Sequence, residues 1–195
     1  MFPLSYHITF LPMYWILGLL VLLLVWIAFA YNQFVQLRNN RSQSFSDVDV
    51  QMKLRYDLIP NLVEVVKGYA THEKGTFEKI AELRSAAMRA GTLAERATAE
   101  IALSGALSGI FALAENYPDL KANQNFLSLQ QELSDIENKI AAARRFFNNT
   151  TKEYNTSIQS FPNLLFAGIF GFHHEEFFDL GDDRSQAEQP VSIKL

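Results

Sequence analysis

Residues 126–161 read FLSLQQELSDIENKIAAARRFFNNTTKEYNTSIQSF. Phe126, Leu129, Leu133, Ile136, Ile140, Ala143, Phe147 and Tyr154 fall alternately three and four residues apart; Thr150 interrupts the series and Phe161 continues it. That is a heptad seam, with Gln, Glu, Lys, Asn and Arg between the apolar positions. It predicts one long amphipathic helix from about Leu120 onward. No segment alternates with period two long enough to make a strand, so the class is all-α.

Upstream, Leu103, Leu107, Ile110, Ala114 and Tyr117 mark another helix, closed by Pro118-Asp119. Ser104, Gly105, Ser108 and Gly109 give it a narrow side for close packing. Its start reads as a capping box, Thr92 with Glu95 three residues on. A helix over Pro60–Arg89 is predicted before it, with Leu62, Val66, Phe77, Ile80 and Leu83 on its buried stripe. Pro60 disfavours a helical Ile59, so DLIPNL reads as a break with Asp57 as the upstream cap.

The first 37 residues hold no Asp, Glu, Lys or Arg, and Phe10–Ala30 reads FLPMYWILGLLVLLLVWIAFA. About 20 apolar residues suffice to cross a bilayer as a helix. The flank before it has no Lys or Arg and the run is longer than a signal-peptide core, which argues against a cleaved signal peptide although Ala28-Phe29-Ala30 has the A-x-A form. Arg38 and Arg41 follow the run, so the rule that basic residues stay inside places the N-terminus outside and the rest in the cytoplasm.

The expected architecture is an N-terminal transmembrane helix followed by an antiparallel up-down bundle of long helices. Residues 1–37 form the outer N-terminus and the transmembrane helix, spanning about 10–30, and residues 38–161 the bundle. Residues 162–180 form a Phe-rich membrane-proximal segment and 181–195 a disordered tail. Following the helices up and down returns the last one to membrane level near Phe147–Phe161. The strip SFPNLLFAGIFGFHHEEFF then has three readings: an interfacial segment, a docking strip for a neighbouring subunit, or a tail packed on its own bundle. With Arg38, Arg41, Arg144 and Arg145, the residues Phe166, Phe170, Phe172, Phe177 and Phe178 are candidates for membrane or subunit contact. At the opposite tip Arg55, Tyr56, Asp57, Asn61, Glu64 and Lys67 form a candidate partner surface, or simply cap and staple the turn.

A net charge of −4 and a pI near 5.6 argue against a nucleic-acid binder. Without cysteine there is no thiolate nucleophile or Cys-based zinc site. The chain lacks a P-loop and G-x-S-x-G, and His72-Glu73 lacks the second His of a zinc protease. His173-His174-Glu175-Glu176 has poor metal-ligand spacing, since ligands on a helix come three or four apart. No cofactor and no catalytic site are expected. The sequons at Asn148, Asn149 and Asn155 lie inside the predicted last helix.

YNQFVQLRN after the anchor, DVQMKLRYDLIPNLVEVVKGYATHE in the middle and ARRFFNNTTKEYNTSIQSFPNLLFAGIFGFHHEEFFDL near the end resemble the LemA family. The resemblance covers about Tyr31–Leu180. It departs at Arg41 and Phe45, where the family has small or apolar residues and often tryptophan, and at HHEE, which replaces a basic-proline stretch. It implies a bacterial single-pass membrane protein with a short outer N-terminus and a cytoplasmic helical bundle, and not an enzyme. Association of some family members with membrane organelles implies scaffolding or membrane shaping. The function expected here is a membrane-anchored scaffold that self-associates or organises membrane and partners. The alternative is a tethered adaptor presenting the bundle tip to a soluble protein. Partners are then the bilayer, a second copy of the chain or an unidentified protein.

Overall fold

In a computed structural model the backbone is described for residues 5–179 and side chains from Tyr14 onward. The tail expected to be disordered lies outside the described residues. Among the described residues there are six helices and no strand: α1 (Ser5–Lys67), α2 (Lys74–Arg89), α3 (Leu93–Ala114), α4 (Pro118–Lys121), α5 (Gln124–Gln159) and α6 (Leu164–Ala167). The chain divides into two compact units. Unit 1 holds the chain up to Arg41 and Lys152–Glu175; unit 2 holds Ser42–Thr151 and the chain from Glu176.

Unit 2 is a helical bundle whose register is fixed by side-chain pairs. On α1 and α5, Phe45 meets Phe147 and Arg55 meets Glu137, so these helices run antiparallel. Arg84 of α2 reaches Tyr56 and Lys67 lies over Phe77, again antiparallel. Asp49 pairs with Arg96 and Arg55 with Glu100, so α1 and α3 run parallel, as first and third helices of an up-down bundle must. Leu62, Ile80, Leu103, Ile110 and Ile140 fill the core between them. Thr150, the interruption in the seam of α5, is buried there; its hydroxyl lies 2.7 Å from that of Ser44. The capping box of α3 forms as read: Glu95 N donates to Thr92 Oγ1 and Thr92 N to Glu95 Oε2, at 3.2 and 3.1 Å.

The expected break at Pro60 is absent. α1 runs through it to Lys67, and the turn comes at residues 68–73. A proline inside a helix removes the hydrogen bond to the carbonyl four residues earlier, here Tyr56. Arg84 Nε donates to that carbonyl oxygen at 2.7 Å, and the Pro60 ring faces outward. A tertiary contact supplies the bond that the proline removes.

Unit 1 comprises the apolar part of α1, the end of α5 and the chain through α6. Its core is Ala30, Phe34, Tyr154, Ile158, Ala167 and Phe172. From Tyr14 to Val25 the side chains of α1 are uncovered. This part of α1 is long and apolar enough to cross a membrane. So, by length and composition, is α3, but α3 carries Glu95, Arg96 and Glu100 and belongs to the bundle of unit 2.

Candidate functional site

Two clusters of side chains concentrate the polar and aromatic chemistry, one in each unit. In unit 2, Arg55 projects from the C-terminal part of α1 into the core and is 1% exposed. An isolated buried charge is untenable; it must be paired and hydrogen-bonded. Arg55 Nη2 donates to Glu100 Oε2, and Nη1 donates to Glu137 Oε2 and, at 2.9 Å, to Ser104 Oγ. The Tyr56 hydroxyl donates to the other oxygen of Glu100. Glu100, 3% exposed, is thus held between a guanidinium and a phenol. Burial, then the bond to Glu100, pushes the Tyr56 hydroxyl well above the ordinary phenol range. Burial lowers the Arg144 pKa, against the nearby carboxylate of Glu137. Arg55 Nε has no partner.

Beside this network lies a cavity of about 330 Å³ whose wall includes Arg55, Ser104, Ser108, Phe111, Gln130 and Glu137. The small side chains of α3 leave this space. Arg55 donates from both terminal nitrogens, and both oxygens of Glu100 accept, so neither is arranged as a free acid, base or nucleophile. No group of three or more His, Asp or Glu among the described residues is placed to hold a metal ion.

In unit 1 the aromatic rings interlock. Trp26 meets Phe166 edge-on at 5.5 Å between centroids, Tyr31 meets Phe170 at 5.3 Å and Phe172 at 5.7 Å, and Phe34 meets Phe172 at 5.1 Å. The Arg38 guanidinium lies 5.2 Å from the Phe172 centroid, and Arg41 pairs with Glu175 at 3.1 Å. Asn155 clamps the chain beyond: its Oδ1 accepts from Glu175 N at 2.9 Å and its Nδ2 donates to Glu175 O at 2.8 Å. Burial, then the charge of Glu175, raises the Tyr154 pKa.

The residues singled out from the sequence separate accordingly. Of the candidate partner surface, Asp57, Asn61, Glu64 and Lys67 are exposed, but Arg55 and Tyr56 are core residues and belong to no exterior surface. The reason is the missing break: α1 continues past them, so they sit inside the bundle rather than at a turn. Of the candidate membrane or subunit contacts, Arg38, Arg145, Phe170 and Phe177 are exposed, and Arg41, Arg144 and Phe166 are half-buried. Phe172 and Phe178 are buried and serve the cores of unit 1 and unit 2. Phe178 carries the Arg144 guanidinium, 5.9 Å from its centroid. Glu100, Glu137 and Arg84 escape a reading by motif; Ser104 reads from sequence only as a small packing residue, and Asn148 and Asn155 only as sequons. Glu100 had one signal: it lies on the buried stripe of α3, three residues before Leu103, where a charge needs a buried partner.

A sequence model described as the LemA family matches residues 44–194. Magnetosome protein MamQ of Magnetospirillum gryphiswaldense is 26% identical over 174 residues, covering 76% of this chain and 64% of the relative. Magnetosome protein MamQ 2 of Paramagnetospirillum magneticum is 23% identical over the same shares. Protein LemA of Metamycoplasma hominis is 25% identical over 134 residues, 67% of this chain and 60% of that protein. The chain therefore spans somewhat under two thirds of the length of the curated relatives it matches.

Proposed function

This chain belongs to the LemA family, and from that premise we propose that it is a membrane-anchored helical scaffold without enzymatic activity. In this reading α1 crosses the bacterial cytoplasmic membrane once, with the N-terminus outside and the bundle in the cytoplasm. The scaffold associates with further copies of itself and organises membrane and partners.

The observation that carries the reading is the bare apolar surface of α1. From Tyr14 to Val25 no protein side covers it, with Trp15 78% exposed. Such a surface is at home in lipid and costly in water. Arg38 and Arg41, on one side of the run only, support the orientation. The interior of unit 2 supports a structural role, because its charges are engaged with one another. The MamQ relatives are named as magnetosome proteins, which fits a part in a larger assembly.

Light scattering on the full chain in mild detergent tests self-association. The expected particle contains two or more copies; a monomer at every concentration, with no cross-links in membranes, removes that part of the reading. A cysteine placed at Glu115 tests the orientation. It should resist an impermeant maleimide in intact cells and react after lysis.

The adaptor reading keeps one specific support. Asp57, Asn61 and Glu64 share an exposed face of α1, spaced four and three residues apart. Changing all three to Ala should abolish binding of a soluble partner if that face is its dock; retained binding excludes it.

A further inference from the structure

We propose that the strip from Phe161 to Phe170 is a second membrane contact. It buries its exposed apolar side chains in the leaflet where α1 leaves the bilayer, and it does not cross. This rests on the reading that α1 spans a membrane.

The depth of the strip follows from its partners in unit 1. Trp26 lies inside the apolar run, about 6 Å of helical rise before Ala30. Phe166 packs on Trp26, Phe170 and Phe172 on Tyr31, Phe172 under Arg38, and Glu175 on Arg41. Contacts thus climb α1 in order, from the apolar run through its aromatic edge to the arginines. A group that touches Trp26 from the side shares its depth. If α1 is in lipid at Trp26, Phe166 and its neighbours are too.

The outer face of the strip suits that place. Phe161 is 82% exposed, Ile169 78%, and Leu164, Leu165 and Phe170 are exposed beside them. No Asp, Glu, Lys or Arg occurs in residues 154–172. Much of the strip's backbone is also satisfied internally, which a lipid environment favours. The N–H groups of Leu164, Leu165, Phe166 and Ala167 donate to Ser160, Pro162 and Asn163 carbonyls. Those of Phe170, Gly171 and Phe172 donate to Phe166, Gly168 and Ala167. About ten residues are too few to span, so the strip enters and returns on one side.

The absence of cysteine makes the test direct. Single-cysteine variants of the full chain, Leu22→Cys, Leu165→Cys, Ile169→Cys and Glu115→Cys, are spin-labelled in phosphatidylethanolamine–phosphatidylglycerol vesicles. Power saturation compares collisions with oxygen, which favours lipid, and with a water-soluble nickel chelate. Circular dichroism checks that each variant stays helical. The expected oxygen-to-nickel ratio at 165 and 169 is several-fold above that at 115 and approaches that at 22. A ratio at 165 and 169 equal to that at 115, with 22 lipid-like, overturns the proposal and leaves the anchor standing. Labels at 165 and 169 shielded from both agents, with spin–spin broadening, show that a second copy covers the strip, which also overturns it. A water-exposed label at 22 overturns the spanning reading, and the proposal falls with it.

Discussion

The core of unit 2 contains an arginine, a glutamate and a tyrosine hydroxyl, each nearly sealed from solvent. The core of unit 1 is made of rings and aliphatic side chains, with Arg38 and Arg41 only at its edge. The two cores solve different problems. Apolar stripes on bundle helices can slide past one another by a turn at small cost. An arginine that must find Glu100, Glu137 and Ser104 at once fits in one register only. Ring packing in unit 1 is less directional, and there the register comes from the Arg41–Glu175 pair and the Asn155 clamp.

The sharpest way to break this contrast is Arg55→Met. It strands Glu100 in the interior, and removing one partner of a buried pair costs about 3–5 kcal/mol. The full chain in detergent should show that loss in chemical denaturation followed by circular dichroism. Adding Glu100→Leu should recover part of it, since a buried pair replaced by apolar groups of similar volume is near neutral, less about 1–3 kcal/mol for the Tyr56 hydroxyl left without its acceptor. A double variant that stays as weak as the single one would mean the pair stabilises beyond its own desolvation.

Phe172→Ala is the counterpart in unit 1. Truncating a buried phenylalanine costs about 3–5 kcal/mol, and the exposed edge of Tyr31 should let this site collapse toward the low end. Hydrogen exchange should quicken at residues 154–172 and leave α3 unchanged. Faster exchange in α3 as well would show that the units open together.

Much of this fold was legible, for a physical reason. The seam of α5, the capping box at Thr92 and the apolar run of α1 are local patterns, and helix formation answers to local patterns. Pro60 and Arg55 were misread because what decides them is far away in sequence. The carbonyl orphaned by Pro60 is satisfied by Arg84, 28 residues on, and the charge of Arg55 by Glu100, 45 residues on. Arginine before a proline reads as a surface turn until those partners are known. The aromatic strip was legible as a strip, but which rings face inward was not: Phe172 and Phe170 differ by two residues and only packing separates them.

Tyr56→Phe removes one donor from the network and leaves its shape. One oxygen of Glu100 then loses its partner, at a cost of about 1–3 kcal/mol. The same variant changes the pH profile. In the folded chain the Tyr56 hydroxyl is held protonated above the ordinary phenol value of 10.0. Its contribution is complete below that value and is lost as pH rises, because the unfolded chain releases the proton first. The parent should therefore lose stability above about pH 10, and the Phe variant should lose less over the same range. Equal alkaline slopes would place the proton linkage elsewhere.

The smallest effects come from a device that both units use. Asn155 in unit 1 clamps the backbone of Glu175, and Asn148 in unit 2 clamps that of Phe178 through bonds of 2.8 and 3.0 Å. Only a carboxamide can do this, because the held residue offers both an N–H and a carbonyl; aspartate accepts but cannot donate. Each clamp makes two bonds at the edge of a core, where water can replace them, so the net loss on truncation is about 1 kcal/mol. Asn155→Ala should speed exchange of the Glu175 amide about five-fold, and Asn148→Ala that of Phe178 by the same factor. Each change should leave the other site untouched, because the bonds are local to their own unit. If either alanine frees both amides, the segment from Glu175 to Phe178 opens as one piece and its two ends answer to a single core.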